Sequence, residues 1–391
     1  MSQPAPREYG LDWLRVAAFG ALIFYHSGMI FVPWEFHIKN PEIAHLLIYP
    51  MLFFNRFRLP LLFFISGCGV AFSLRRRGWG EFAGERLRRL LIPVVFGMFV
   101  IIPPQIYYER LQQGAKFASY GEFYRTVLEL VPYPKGSFSW HHLWFVVYIL
   151  VYSLVCIPVF AWLRGDSGRG AIASLARLCE RWPAAIYLVN VPSIVNALVL
   201  GPRWPVTHNL IADWANLAGS LITFLWGFVF ASSPALLDLV ERRRSEFLAG
   251  WVASVVVFFG VLVTDTQPGP FAWTLINAYY GMFAIFALVG YARATIHSGG
   301  AWLSYATEAV YPFYIVHQTI IVAAGYYIVQ QAWSVSVKLA VTMAVTAAGS
   351  WLAFEVVRRT RVTRLLFGLK PSSGTEVPRR LEPAPQSAGG D

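Results

Sequence analysis

The chain has 391 residues, 57% of them hydrophobic and 14% charged, with mean hydropathy +0.51. Soluble proteins carry about 25% charged residues, so this chain has too few to cover a water-facing surface. The composition argues against a cytosolic enzyme, a disordered scaffold and a small disulfide-stapled secreted domain, and for an all-α polytopic membrane helix bundle. The 15 Trp, 19 Tyr and 30 Phe suit a chain whose amphipathic rings sit at bilayer interfaces. The net charge of +11 does not point to nucleic acid. The basic residues fall in short clusters between apolar runs, a pattern that records membrane topology, rather than along one continuous face. Cys68, Cys156 and Cys179 are scattered and odd in number, in or beside apolar stretches. They give neither a disulfide framework nor metal-ligand spacing and read as small core hydrophobes.

The first apolar run, 11–32, holds Asp12 and Arg15 at its start, and no small-x-small cleavage site follows it. It therefore reads as a span and not as a cleavable signal. With about 20 residues needed per crossing, ten runs qualify: 11–32, 46–74, 90–107, 143–163, 184–200, 214–232, 248–264, 273–292, 302–330 and 337–357. The second is longer than a bilayer needs and is interrupted by Asn55, Arg56 and Arg58, which suggests an interfacial helix followed by a span. A cytoplasmic N-terminus puts Arg7, Arg75 to Arg77, Arg86, Arg88, Arg89, Arg164, Arg169, Arg177, Arg181, Arg242 to Arg244, Arg293 and the stretch from Arg358 to Arg380 on one side. The other side receives only Lys39, Arg110, Lys116, Arg125, Lys135 and Arg203. That asymmetry predicts about ten transmembrane helices with both termini cytoplasmic. Residues 1–370 form one transmembrane domain, and 371–391, rich in Pro, Gly, Ser and Ala, read as a disordered cytoplasmic tail. The segment 108–142 is the largest outer loop, polar and aromatic. No internal repeat supports an inverted-repeat transporter.

Charges and histidines inside spans cost several kcal/mol unless paired or wet. The first span holds Asp12, Arg15 and His26, the second Arg56 and Arg58, the ninth Glu308 and His317, and the tenth Glu355. Eleven steps of about 100° bring His26 within roughly 20° of Arg15 and roughly 16 Å along the axis. Arg15 then lies near the cytoplasmic mouth and His26 past the midplane. Arg15 either pairs with Asp12 or Glu355 or faces a ligand. Imidazole is the side chain whose proton moves near neutral pH, and it is the commonest general base. Fifteen residues from Trp302 lift His317 roughly 22 Å, close to the depth of His26. Tyr314 is one turn away, and Pro312 would kink the helix as happens where spans line a cavity. Arg86 and Arg89 share a face at the inner boundary, either as topology charge or as a fork for phosphate oxygens. His37, His45, His208 and His297 lie in loops, and His141 and His142 stand at the outer end of the fourth span. No glycine-rich nucleotide loop and no zinc-type histidine spacing appears, so no metal is expected.

Asp12-Trp13-Leu14-Arg15 followed by ten residues and His26 resembles the arginine-x10-histidine signature of the membrane-bound acyltransferase-3 family. Arg86-x-x-Arg89 is similar to that family's arginine pair, Tyr311-x-x-Tyr314-x-x-His317 to its late aromatic-histidine helix, and Glu355 to the glutamate that often ends its last span. The resemblance covers roughly residues 7–370. Tyr25-His26-Ser27-Gly28-Met29, the run Asn55 to Gly67 and the ending Leu365 to Pro371 look most like the branch that succinylates osmoregulated periplasmic glucans.

The resemblance implies an acyltransferase in a bacterial inner membrane that takes acyl-CoA (acetyl-CoA or succinyl-CoA) from the cytoplasm and modifies an extracytoplasmic glycan. Its phosphates would lie against Arg86 and Arg89, helped by Arg88, and the pantetheine arm would pass Arg15. His26 would act as general base, which needs fewer assumptions than an acyl-histidine intermediate. Tyr314, His317 and Ser27 are the candidates for stabilising the oxyanion. Arg58, expected at the level of His26, would either bind the far carboxylate of a succinyl group or anchor the helix at an interface. The alternative is a proton-coupled secondary transporter with His26, His317 and Glu308 as a relay.

Overall fold

The computed structural model describes residues 8–371; all but the first residue of the expected tail 371–391, with Arg7 and Arg380, lie outside them. The described residues form helices joined by loops, with one isolated bridge between Pro132 and Phe138 and no strand. Helix α1 (Tyr9–Gly28) is followed by α2 (Ile48–Asn55) and α3 (Arg58–Leu74). Next, α4 (Trp79–Gln112) contains two π-helical stretches, Leu87–Leu91 and Gly97–Ile101. The short α5 (Tyr120–Leu128) precedes α6 (Trp144–Val155), α7 (Ile157–Arg164), α8 (Asp166–Arg181) and α9 (Val191–Val199). The chain continues through α10 (Trp214–Ser232), α11 (Pro234–Arg242), α12 (Arg244–Val263) and α13 (Pro270–Thr295). It ends with α14 (Ala301–Ile328), α15 (Val335–Val357) and α16 (Arg361–Leu366).

Among the described residues, six helical segments are long and apolar enough to cross a membrane, or seven if the pair His141–Val155 and Ile157–Arg164, bent by 55°, forms one span. The helical, membrane-spanning bundle is thus borne out, while the expected ten spans are not confirmed. The run 184–200 becomes the shorter apolar stretch Pro183–Val199, opened by a 3-10 segment. Helices α1 and α14 have the length, 20 and 28 residues, but fall short in apolarity. They carry Asp12, Arg15, His26, Glu308 and His317, which are the groups from which the site is built.

Helix α3 is the central element. Leu61 to Ile65, Cys68, Val70, Ala71 and Leu74 are all buried, as expected of a helix apolar all round. It packs on α10 at two glycines. A Cβ on Gly67 would stand 1.9 Å from the Phe224 carbonyl oxygen, and one on Gly227 would stand 1.9 Å from that of Phe64. Small residues at facing positions let backbones touch, the usual device where lipid supplies no hydrophobic drive between helices. By contrast α12 buries only Phe247 and Phe258 and leaves Val252, Val256 and Val263 exposed, so its apolar face is the outer wall of the bundle.

The bundle has two chemically different ends. At the basic end, Arg293 binds Glu8 (2.5 Å), Asp238 (2.9 Å) and Glu241 (3.2 Å). There too Trp13 stacks on Trp302 at 4.8 Å, and Arg75 donates to the carbonyl of Ala231. At the distal end, Lys338 Nζ donates to Asn40 (2.9 Å), the hydroxyls of Tyr108 and Tyr327 stand 3.3 Å apart, and Trp140 Nε1 donates to the His208 carbonyl (3.0 Å).

Candidate active site

Helices α1 and α14 pack against each other and bring two histidines together. His26 Nδ1 lies 2.8 Å from His317 Nε2, with the rings stacked at 5.1 Å and 15°. The proton positions follow from the partners. His317 Nδ1 stands 2.7 Å from the Tyr314 carbonyl oxygen. A carbonyl only accepts, so Nδ1 carries the proton and Nε2 is a lone pair. His26 must then donate from Nδ1, which leaves its own Nε2 unprotonated and without a hydrogen bond among the described residues. His26 is half-buried, whereas His317 is buried. The pair is a base with an open lone pair held by a second imidazole in a fixed tautomer.

Tyr314 is committed elsewhere, because its hydroxyl donates to the His142 carbonyl. His142 is held by the Ile315 carbonyl at Nε2 (3.0 Å) and by Gln105 Nε2 at Nδ1 (3.3 Å). Gln105 also donates to Thr319 (2.7 Å), whose hydroxyl donates to the Ile101 carbonyl (2.7 Å) in the second π-helical stretch of α4. From there the polar chain runs to the distal end. Gln318 bridges Gln105 (3.2 Å) and His37 (3.1 Å), His37 Nδ1 stands 2.7 Å from Glu109, and Tyr133 donates to the other Glu109 oxygen (2.7 Å). Burial and the Glu109 carboxylate push the Tyr133 phenol above its ordinary range, so it stays a donor.

Arg58 begins α3 beside this site. It is only 4% exposed, which rules out an interfacial anchor, and its guanidinium carbon lies 3.5 Å from the Tyr25 ring centroid. Its Nε and Nη1 have no hydrogen-bond partner, nor has the buried Ser27 hydroxyl. The charge of Arg58 acts on both His26 and His317. Arg56, by contrast, donates to Asn277 (2.7 Å).

A cleft of about 230 Å³ separates α1 from α14. Val16, Gly20 and Ile23 form one wall, and Trp302, Tyr305 and His317 mark the other. From Trp302 to His317 it rises roughly 22 Å at about 1.5 Å per residue, from the basic end to His317, and His26 is not among its lining residues. Arg15, Arg86, Arg88 and Arg89 do not line it. Arg15 pairs with Asp12 (3.3 Å) and reaches toward Gly69 of α3. Arg89 donates to the Gly368 carbonyl (3.0 Å) and pairs with Glu85 (3.3 Å). Arg86 lies over Phe82 with its Nε unpartnered, and Arg88 is exposed. Arg75, Arg164 and Arg169, which the sequence presents as topology charge, line a second cleft of about 310 Å³ at the same end. Glu308 is far from the histidines. It pairs with Arg364 (2.8 Å), and Glu355 accepts from Tyr305 (2.6 Å). The residues brought together are thus His26, His317 and Arg58, while the proton relay through Glu308 is not assembled.

A family model described as an acyltransferase domain, Acyl_transf_3, matches residues 8–355. The chain belongs to the acyltransferase-3 family. It is therefore a multi-pass membrane acyltransferase. Among similar proteins are those named glucans biosynthesis protein C from Salmonella typhimurium and Salmonella heidelberg, each 21% identical over 387 residues, covering 95% of this chain and 97% of the relative. The protein of the same name from Salmonella paratyphi B is 22% identical with the same coverage. No solved structure matches the chain.

Gln105, Gln318 and Glu109 escaped the sequence reading, His37 was seen there only as a loop histidine, and His142 only as interfacial or lining the outer mouth. They come from loops and from separate helices up to 281 residues apart, with no common period. The only signal was the polarity of Gln105 and Gln318 inside apolar runs.

Proposed function

We propose that this acyltransferase moves an acetyl or succinyl group from cytoplasmic acyl-CoA to a hydroxyl of an extracytoplasmic carbohydrate, with His26 as general base. The observation that carries this reading is the 2.8 Å contact between His26 and His317, whose second imidazole leaves the base lone pair open. The thioester reaches His26 from the basic end, with the phosphates of CoA held outside the cleft against Arg86, Arg89 and Arg88. The apolar cleft between α1 and α14 is of suitable length for the acyl-carrying arm. His26 Nε2 takes the proton of the acceptor hydroxyl, the oxygen attacks the thioester carbonyl, and the carbon–sulfur bond breaks. The same proton passes from His26 to the departing thiolate, so no proton is gained or lost.

The free N–H groups of Arg58 are suited to the developing oxyanion or to the distal carboxylate of a succinyl group. The name shared by the relatives supports a glucan as acceptor. A bacterial inner membrane with both termini cytoplasmic, and residues 1–370 acting as one domain, complete the reading. The test is thiol release by the purified full chain from acetyl-, succinyl- and longer acyl-CoA, beside His26→Ala. A loss of about 10²–10⁴-fold is expected for the variant, and undiminished release would overturn the assignment.

A further inference from the structure

At the distal end, three side chains from three separate segments converge. His37 lies in the loop after α1, Glu109 near the end of α4, and His141 just before α6. One ligand atom of each lies within 4.8 Å of the other two. We propose that His37, Glu109 and His141 bind a divalent cation of zinc type, which clips the distal loops together over the histidine pair and keeps a fourth coordination position for water.

The donor chemistry fits: two imidazoles and one carboxylate, with a water in the fourth place, is a recurring zinc set. The geometry is close to what an ion requires. Zinc–nitrogen bonds of about 2.05 Å in a tetrahedron put two imidazole centroids about 5.2 Å apart, and the His37 and His141 centroids are 4.8 Å apart. The same tetrahedron sets donor atoms about 3.3 Å from one another. His37 Nδ1 and Glu109 Oε2, now 2.7 Å apart, would open slightly, and rotation of His141 would close the longer edge.

Two further observations point to a ligand. His141 Nε2 is buried and has no partner. Its Nδ1 lies 2.7 Å from Ser139 Oγ, and with the proton there, Nε2 aims a bare lone pair at the cluster. The outer partners are also those of a metal site, where each ligand is oriented by a hydrogen bond on its far side. Tyr133 holds the second Glu109 oxygen (2.7 Å), Ser139 holds His141, and the Gln318 amide faces His37 Nε2 (3.1 Å). Coordination at Nδ1 moves the His37 proton to Nε2, and Gln318 must then present its oxygen there and give up the bond its nitrogen donates to Gln105 Oε1 (3.2 Å).

The experiment uses the full-length protein without a histidine tag, stripped with chelator and dialysed against zinc, with metal read by mass spectrometry and cobalt substitution read by visible absorption. About one zinc per chain and a tetrahedral cobalt spectrum are expected. His141→Ala and His37→Ala should lose both. Tyr133→Phe, which removes no ligand and keeps the fold, should weaken affinity about 10- to 100-fold. His208→Ala, an unrelated loop histidine, should bind as the unaltered chain does. Less than a fifth of an equivalent of zinc on the unaltered chain, or full occupancy in His141→Ala, would overturn the proposal. Metal content is independent of transfer, so this outcome is separate from that of the acyl-CoA assay.

Discussion

Removing the acceptor beneath His26 should damage the chemistry without damaging the fold. In His317→Phe the ring is retained, and with it the contacts to His142, Tyr314 and His26 at centroid distances of 5.4, 5.8 and 5.1 Å. What disappears is the lone pair that receives the His26 Nδ1 proton. Two losses follow: His26 is free to adopt the tautomer with its proton on Nε2, and the imidazolium formed during transfer loses its partner. A hydrogen bond to a charged group contributes about 1.5–3 kcal/mol, which converts to a loss of roughly 10- to 150-fold in turnover at about 1.4 kcal/mol per decade. His317→Gln keeps an acceptor oxygen on a side chain of similar reach and should recover part of that loss. The assay is thiol release from acetyl-CoA and succinyl-CoA by purified protein, with kcat and KM separated and thermal midpoints measured on the same samples. The fall should appear in kcat, with KM for the thioester nearly unchanged. A His317→Phe rate within twofold of the unaltered chain, or equal losses for Phe and Gln at equal folded fraction, would refute the tautomer argument.

Arg58→Ala should raise KM for succinyl-CoA about tenfold or more, the cost of one charge-assisted pair, and change acetyl-CoA by less than threefold; equal losses would remove carboxylate recognition. Gly20 faces the cleft with nothing within 4 Å of a built Cβ, so Gly20→Leu should gain up to about 1 kcal/mol of helix stability while blocking turnover, and an unchanged rate would show that the acyl arm passes elsewhere. Gly67→Ala drives a Cβ to 1.9 Å from the Phe224 carbonyl oxygen and should cost about 3 kcal/mol, read as a lower thermal midpoint. Gly69→Ala, whose nearest contact is Arg15 at 3.9 Å, should be neutral. His208 is an exposed residue, but its imidazole stacks on Trp144 at 4.2 Å, and the desolvation there holds it below the ordinary range despite the opposing Asp213. Its neutral form is the folded one, so the stability it contributes is complete above about pH 6.5 and is lost as pH falls below that. Hydrogen-exchange protection over residues 200–213, taken relative to intrinsic amide rates at each pH, should therefore fall on acidification and stay constant in His208→Phe.

How much of this was legible beforehand depended on whether the signal was local. Arg15 and His26 sit on one helix, and Tyr314 and His317 on another, so periodicity alone put each pair on a face. The depth argument that aligned His317 with His26 needed only the rise per residue. Arg58 was expected at the same level, and its guanidinium lies over Tyr25, the residue before His26. The direction of each proton was not legible, because it depends on the Tyr314 carbonyl, a backbone group with no mark in the sequence. Nor was the distal cluster. His37 and His141 lie in loops without period, and Glu109 looks like any surface acid until the chain folds 72 residues back onto it.

Only six or seven of the ten expected spans are apolar enough to cross by hydropathy alone, and the reason bears on function. A hydropathy argument rewards helices that pay nothing to enter lipid, and α12, with its exposed valines, is such a helix. Helices α1 and α14 are not, because each carries polar groups at depth that are costly in hydrocarbon. The structure meets that cost by turning those groups toward one another. His26 donates to His317, His317 to a carbonyl, and Glu308 and Asp12 each take an arginine. Among the polar groups of these two helices, the lone pair on His26 and the Ser27 and Tyr311 hydroxyls are left without a hydrogen bond, with the unpartnered N–H groups of Arg58 beside His26. If the pair serves chemistry and not the bundle, replacing it by apolar residues of similar volume, His26→Phe with His317→Phe, should stabilise the protein, as often happens when buried polar pairs are removed. A double variant that is more stable yet inert would show that the polarity is retained for chemistry; one that fails to fold would show that it is retained for the bundle.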